Sequence, residues 1–105
     1  MLSHLFYFKD MILVDFLNRL KQEYTTLDRL NKETYYGRLS SLFVLLELDG
    51  VRLDAEYELG LSKLLDRMGD INEEELETVL SPEELKSLIH KIKLGLALII
   101  NTIEE

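Results

Sequence analysis

Apolar side chains recur along this chain at intervals of three and four, the spacing that lines one face of an α-helix. Leu13, Phe16, Leu17, Leu20, Tyr24 and Leu27 form one such stripe and predict a first helix from about Leu2 to Tyr24. Leu5, Phe8, Ile12 and Phe16 form a second stripe on another face of it. Thr25 and Thr26 are β-branched and predict a bend or break there. Asn31 is placed to cap a second helix, Lys32 to Leu48, on the stripe Tyr35, Leu39, Leu42 and Leu46. Phe43, Val44 and Leu45 fill its other faces; the run Leu42–Leu46 also suits a buried strand, but its length and flanks favour helix.

Asp49-Gly50 predicts a turn, followed by a helix from about Leu53 to Met68 that ends at Gly69-Asp70. Its apolar side is Leu53, Tyr57, Leu61, Leu64, Leu65 and Met68, and its other side is charged, so it belongs at the surface. Asn72 followed by Glu75 has the spacing of a capping box and predicts a short acidic helix to Leu80. Ser81-Pro82-Glu83-Glu84 is a stronger start signal, with Ser as cap, Pro at the first helical position and Glu at the third. The final helix carries the stripe Leu85, Leu88, Ile89, Ile92, Leu96, Ile99, Ile100 and Ile103. The expected fold is all-α: one domain over residues 1–105, a compact bundle of four to five helices with a long last helix.

That last helix also holds Leu94 and Leu98 opposite its main stripe, so its second half is apolar nearly all round. Such a helix is covered on all sides. It is therefore either central in the bundle or at an interface with another chain. Phe6, Tyr7 and Phe8 raise the same alternative for the first helix, since they lie off its main stripe. Two such helices in 105 residues favour an apolar interface at Phe6, Tyr7, Phe8, Leu94 and Leu98.

Charge adds a second candidate surface. The net charge of −8 arises wholly in the second half: residues 1–52 hold seven acidic and seven basic side chains, and residues 53–105 hold thirteen and five. Asp70, Glu73, Glu74, Glu75, Glu77, Glu83 and Glu84 follow one another without a Lys or Arg. This run is either a solvated helix face or a contact surface for a basic partner. It repels phosphate backbones, which argues against direct nucleic-acid binding through this half.

Candidate chemistry is sparse. There is no cysteine, which excludes disulfides, thiolate metal sites and cysteine nucleophiles. The window Asp66–Glu77 has the length of a calcium loop, but Met68 and Ile71 stand where a ligand and a glycine are needed. His4 and His90 belong to no metal-binding spacing, and His90 falls beside Lys86 and Lys93 on the polar side of the last helix. No phosphate loop or nucleophile elbow occurs. No cofactor and no catalytic activity are expected. The longest apolar run near the C-terminus, Leu94–Ile100, is too short to span a bilayer, and Lys9 and Asp10 interrupt the apolar opening. A cytoplasmic protein without membrane association is the expectation.

Leu17, Leu20 and Glu23, with Leu27 and Leu30-Asn31-Lys32-Glu33-Thr34-Tyr35, resemble the start of archaeal GINS subunits. There, a helix ending in L-x-x-E leads into an L-D-x-D-F-Y-like turn and a second long helix. Leu80-Ser81-Pro82-Glu83-Glu84 similarly resembles the L-[ST]-P-E-E that opens a late helix of that family's α-helical domain. Thr34 departs from the usual aromatic, Asp70 from a basic residue, and nothing after Ile103 supplies the small β-domain many GINS subunits carry. The resemblance implies a non-enzymatic scaffold that assembles with other GINS subunits and joins the MCM helicase to a RecJ-like protein. The alternative reading is a small acidic inhibitor, such as an immunity protein, antitoxin or phage anti-defence protein, covering a basic surface on its target. Either reading makes a protein partner, in a homo- or hetero-oligomer, the centre of the function.

Overall fold

In a computed structural model, residues 11–75 and 80–104 are described, with side chains given for all of these except residues 72–75. Four helices arise among the described residues, and no strand. Helix α1 spans Met11–Thr26 and ends at the two threonines, whose hydroxyls turn back onto the carbonyls of Gln22 and Glu23. A 3-10 turn, Leu27–Arg29, carries the chain towards α2. Asn31 organises the turn before the helix rather than capping a helix from Lys32: α2 begins at Tyr35, and the residue flanking its start is Thr34. Asn31 Oδ1 accepts from the backbone N–H groups of Glu33 and Thr34, at 2.9 and 3.1 Å, and Tyr35 opens the helix proper.

Helix α2 differs from the expected helix and turn. Its α-helical part, Tyr35–Leu45, passes into a π-helical segment, Leu46–Gly50, and resumes as α-helix over Val51–Tyr57 without a break. Asp49-Gly50 is therefore not a turn. Gly50 is buried, and a Cβ there would sit 3.3 Å from both Phe16 of α1 and Leu65 of the following helix. Glycine serves here for close approach between helices rather than for chain reversal. The reversal comes later, where Glu58 and Gly60 take positive φ angles of 52° and 81°. Asp54 holds this corner: its carboxylate accepts from the Leu61 N–H at 2.8 Å and from the Ser62 hydroxyl at 2.9 Å. One side chain in the last turn of α2 thus caps the start of the next helix.

Helix α3, Ser62–Glu75, runs straight through Gly69-Asp70. The expected stop there is absent, and Asn72 lies inside α3 rather than capping a new acidic helix, whose residues 76–79 lie outside the described residues. A helical glycine costs about 1 kcal/mol relative to alanine. Burying Met68 and half-burying Leu64, Leu65 and Ile71 outweighs that cost. The long last helix, α4, spans Pro82–Glu104. Its start matches expectation, because the Ser81 N–H donates to the Glu84 carboxylate at 2.9 Å and the Glu84 N–H donates to Ser81 Oγ at 3.1 Å.

The helices run alternately up and down. Lys21–Glu104 and Asp28–Lys93 pairs, at 2.7 and 2.8 Å, fix α1 antiparallel to α4. Arg19–Asp49 and Arg38–Glu23 pairs set α1 against α2 in the same sense. Helix α4 packs between α1 and α3, while α2 packs on α3, so α2 and α4 occupy opposite corners of a four-helix bundle. All eight residues of the α4 stripe are buried, with Leu13, Phe16, Leu17, Leu20, Leu39, Leu42, Phe43, Leu46 and Leu53 facing them in one core. Ile12, assigned to a second stripe on α1, is instead exposed, and its partners Leu5 and Phe8 lie outside the described residues.

Helices α3 and α4 are tightly packed at Gly95. At Gly95 an added Cβ would overlap Met68 Sδ. Gly95→Leu is therefore expected to destabilise the fold by about 1–3 kcal/mol in chemical denaturation, as overpacking does elsewhere. Glu58→Gly is expected to do the opposite. It relieves a left-handed conformation costing about 1–2 kcal/mol, less about 0.5–1 kcal/mol for glycine's extra freedom, so the denaturation midpoint should rise slightly.

Candidate interaction surface

The interior of the bundle is apolar, and distinctive features gather on its outside. Leu94 and Leu98 are 55% and 48% exposed, one turn apart on the outer face of α4. The sequence left open whether they are core; the fold puts them at the surface. The reason is the division of labour on α4. Its inner stripe already meets α1 and α3, and no described element lies over the outer face.

Leu94 forms a ridge between two grooves. On one side is a hollow of about 910 Å³ bounded by the Leu27–Glu33 connection and the first half of α4. Leu30, Leu85, Ile89 and Ala97 supply apolar lining, and Lys32, Lys86, His90 and Lys93 supply cationic or titratable lining. Lys93 is tied down by Asp28 at 2.8 Å and lies 5.0 Å from the centre of the Tyr24 ring. The hydrogen bond and charge of Asp28 hold its ammonium pKa above the ordinary lysine range, against a smaller opposing effect of desolvation. The second groove, about 400 Å³, lies between α3 and α4 and is lined by Leu64, Met68, Ile71 and Leu98 together with Arg67 and Lys91.

A second apolar stripe runs along α2 at the opposite corner. Tyr36, Val44, Leu48 and Val51 are all exposed, Leu48 by 66%. The four-residue spacing of Val44 and Leu48 was readable, but the expected turn at Asp49-Gly50 hid their continuity with Val51. The basic lining of the α4 grooves was missed for a different reason. Lys32 and Arg67 come from distant parts of the chain and meet α4 only in the folded bundle.

The other sequence candidates are distributed as follows. Phe6, Tyr7, Phe8 and Glu77 lie outside the described residues, as does His4. Glu73, Glu74 and Glu75 belong to the helical end of α3, with side chains outside the description. Asp70 and Glu83 are exposed, and Asp70 borders the groove between α3 and α4. Glu84 is engaged in the cap. The Asp66–Glu77 window is helical as far as Glu75, so no cation-binding loop forms there. Among the described residues no group of three His, Asp or Glu side chains is placed to hold a metal. No helix among them is long and apolar enough to cross a membrane.

Comparison with protein-family models, curated proteins and solved structures gives no match.

The cap that starts α4 has a pH signature. Hydrogen bonds from the Ser81 backbone and then its hydroxyl hold the Glu84 carboxyl below its ordinary pKa. A depressed folded-state pKa stabilises the fold above the ordinary carboxylate pKa, and that contribution disappears as pH falls through the lowered value. Glu84→Gln is expected to flatten the acid limb of a plot of melting temperature against pH. An unchanged acid limb would show that the cap contributes nothing to acid stability.

Proposed function

We infer that the chain is a non-enzymatic interaction subunit, and that it docks through the outer face of α4. The observation that carries this reading is the exposure of Leu94 and Leu98 on a helix whose inner stripe is wholly buried. Exposed leucines on a flat surface gain nothing from water. Set between two grooves with apolar lining, they match the anchors a partner helix inserts into. The exposed stripe Tyr36, Val44, Leu48 and Val51 at the opposite corner gives the bundle a second apolar side, as suits a cytoplasmic protein held between neighbours in an assembly.

The resemblance to GINS subunits gives this assembly a concrete form. The chain would take the place of an α-helical scaffold subunit between the replicative helicase and its associated proteins. Its partners would be other GINS subunits, the MCM ring and a RecJ-like protein. The apolar face favours this scaffold reading over the acidic inhibitor. Of the carboxylates expected to form an acidic decoy, Glu84 is committed to the cap.

A photo-crosslinking residue placed at Leu98 in the producing cells tests the reading. A discrete adduct is expected, identifiable by mass spectrometry and lost when Leu94→Glu is added. Circular dichroism of Leu94→Glu/Leu98→Glu should remain that of the wild type, because both side chains are at the surface. Absence of an adduct from Leu98, or unfolding of the double variant, would overturn the assignment of this face.

A further inference from the structure

We propose that the α4 face selects an acidic amphipathic helix: a partner segment with an apolar ridge flanked by Asp and Glu. The proposal rests on the docking reading above and adds the chemistry of the partner.

Its first support is a local inversion of charge. The chain carries −8 overall, yet between Leu85 and Ile103 helix α4 holds Lys86, His90, Lys91 and Lys93 and no carboxylate. The second is how the fold enlarges that inversion. Lys32 is brought to one groove and Arg67 to the other, so cations line both sides of the Leu94 ridge. Among the described residues the two grooves are lined by five Lys and Arg side chains and three carboxylates, Asp28, Glu33 and Asp70, and the Asp28–Lys93 pair takes one charge of each sign. The third is shape. A helix is about 10–12 Å across with its side chains, and its apolar stripe is flanked on both sides by polar positions. Seated on Leu94 and Leu98, it would put its apolar stripe on the ridge and its flanking positions over the two cationic margins.

A second copy of this chain is a poorer occupant. Packed through its own Leu94 and Leu98, a second α4 would present lysines and no carboxylate between Leu85 and Ile103. Nucleic acid is poorly served as well, because the ridge between the cations is two leucines rather than a stacking aromatic or a polar reader. Apolar anchoring with charged flanks gives affinity from the centre and orientation from the rim.

The test uses the full chain and two synthetic helical peptides that share one leucine stripe. One is flanked by Glu, and the other has Lys at the same positions. Binding is followed by calorimetry at low and high salt, with light scattering on the chain alone. The Glu peptide is expected to bind at least about tenfold more tightly than the Lys peptide at low salt, with the gap narrowing as salt rises. Lys86→Glu/His90→Glu should remove that preference, and Leu94→Glu/Leu98→Glu should abolish binding of both peptides. Both pairs are exposed, and circular dichroism checks that each variant is folded. If the two peptides bind equally and only the leucine variant loses them, the acidic partner is wrong while the docking face stands. If the leucine variant still binds, the docking face itself is wrong. Binding of neither peptide, or a wild-type dimer that Leu94→Glu/Leu98→Glu converts to monomer, overturns the acidic-partner proposal.

Discussion

Burial of the inner face of α4 is the constraint on which the other helices depend. Eight Leu and Ile side chains, from Leu85 to Ile103, disappear from solvent along 23 residues of helix. Each is worth about 1.5–3 kcal/mol in transfer free energy. Helices α1 and α3 are positioned by that face, and α2 closes the bundle against them. Gly95 sets how near α3 can come, because Met68 occupies the space a side chain would need. Ion pairs such as Lys21–Glu104 and Asp28–Lys93 fix the sense of packing more than they stabilise it, since exposed pairs contribute little.

A helix that buries one stripe so completely needs nothing apolar on its other side. Its outer side takes no part in the core, yet Leu94 and Leu98 stand there beside Lys86 and His90. Core packing accounts for none of these four. The inner and outer faces therefore have different explanations: the first is set by the bundle, and the second by whatever meets it. The α2 stripe of Tyr36, Val44, Leu48 and Val51 poses the same question at the opposite corner.

Much of this was legible in the amino-acid order. Every residue of the inner α4 stripe followed from its 3.6-residue period, and the cap at Ser81 and Glu84 followed from its spacing. The stop at Thr25-Thr26 was equally plain. The chain reversals were not. Asp49-Gly50 carries a strong local turn signal, but packing against Phe16 and Leu65 overrides it. Gly69-Asp70 looks like a helix end, yet the burial of Met68 carries α3 past it. The true corner at Glu58–Gly60 depends on Asp54, seven and eight residues before the groups it binds, a relation that no local pattern displays. The candidate surface divides in the same way. Leu94 and Leu98 stood out in the sequence, whereas the basic grooves exist only after Lys32 and Arg67 have been carried to α4 by the fold.

The π segment of α2 has a meaning of its own. The Val51 N–H reaches back five residues to the Leu46 carbonyl, one more than in an α-helix. It inserts one residue into the helix without opening it, shifting the phase of everything downstream by about 100°, the angle one residue subtends. Leu42 before it, Leu46 and Gly50 within it and Leu53 after it are all buried. The segment thus works as a slack link within one continuous helix. Loss of one residue from Leu46–Gly50 would close the segment to regular α-helix and leave the two halves facing as they do, so the helix can give up a residue here without turning its inner side outward.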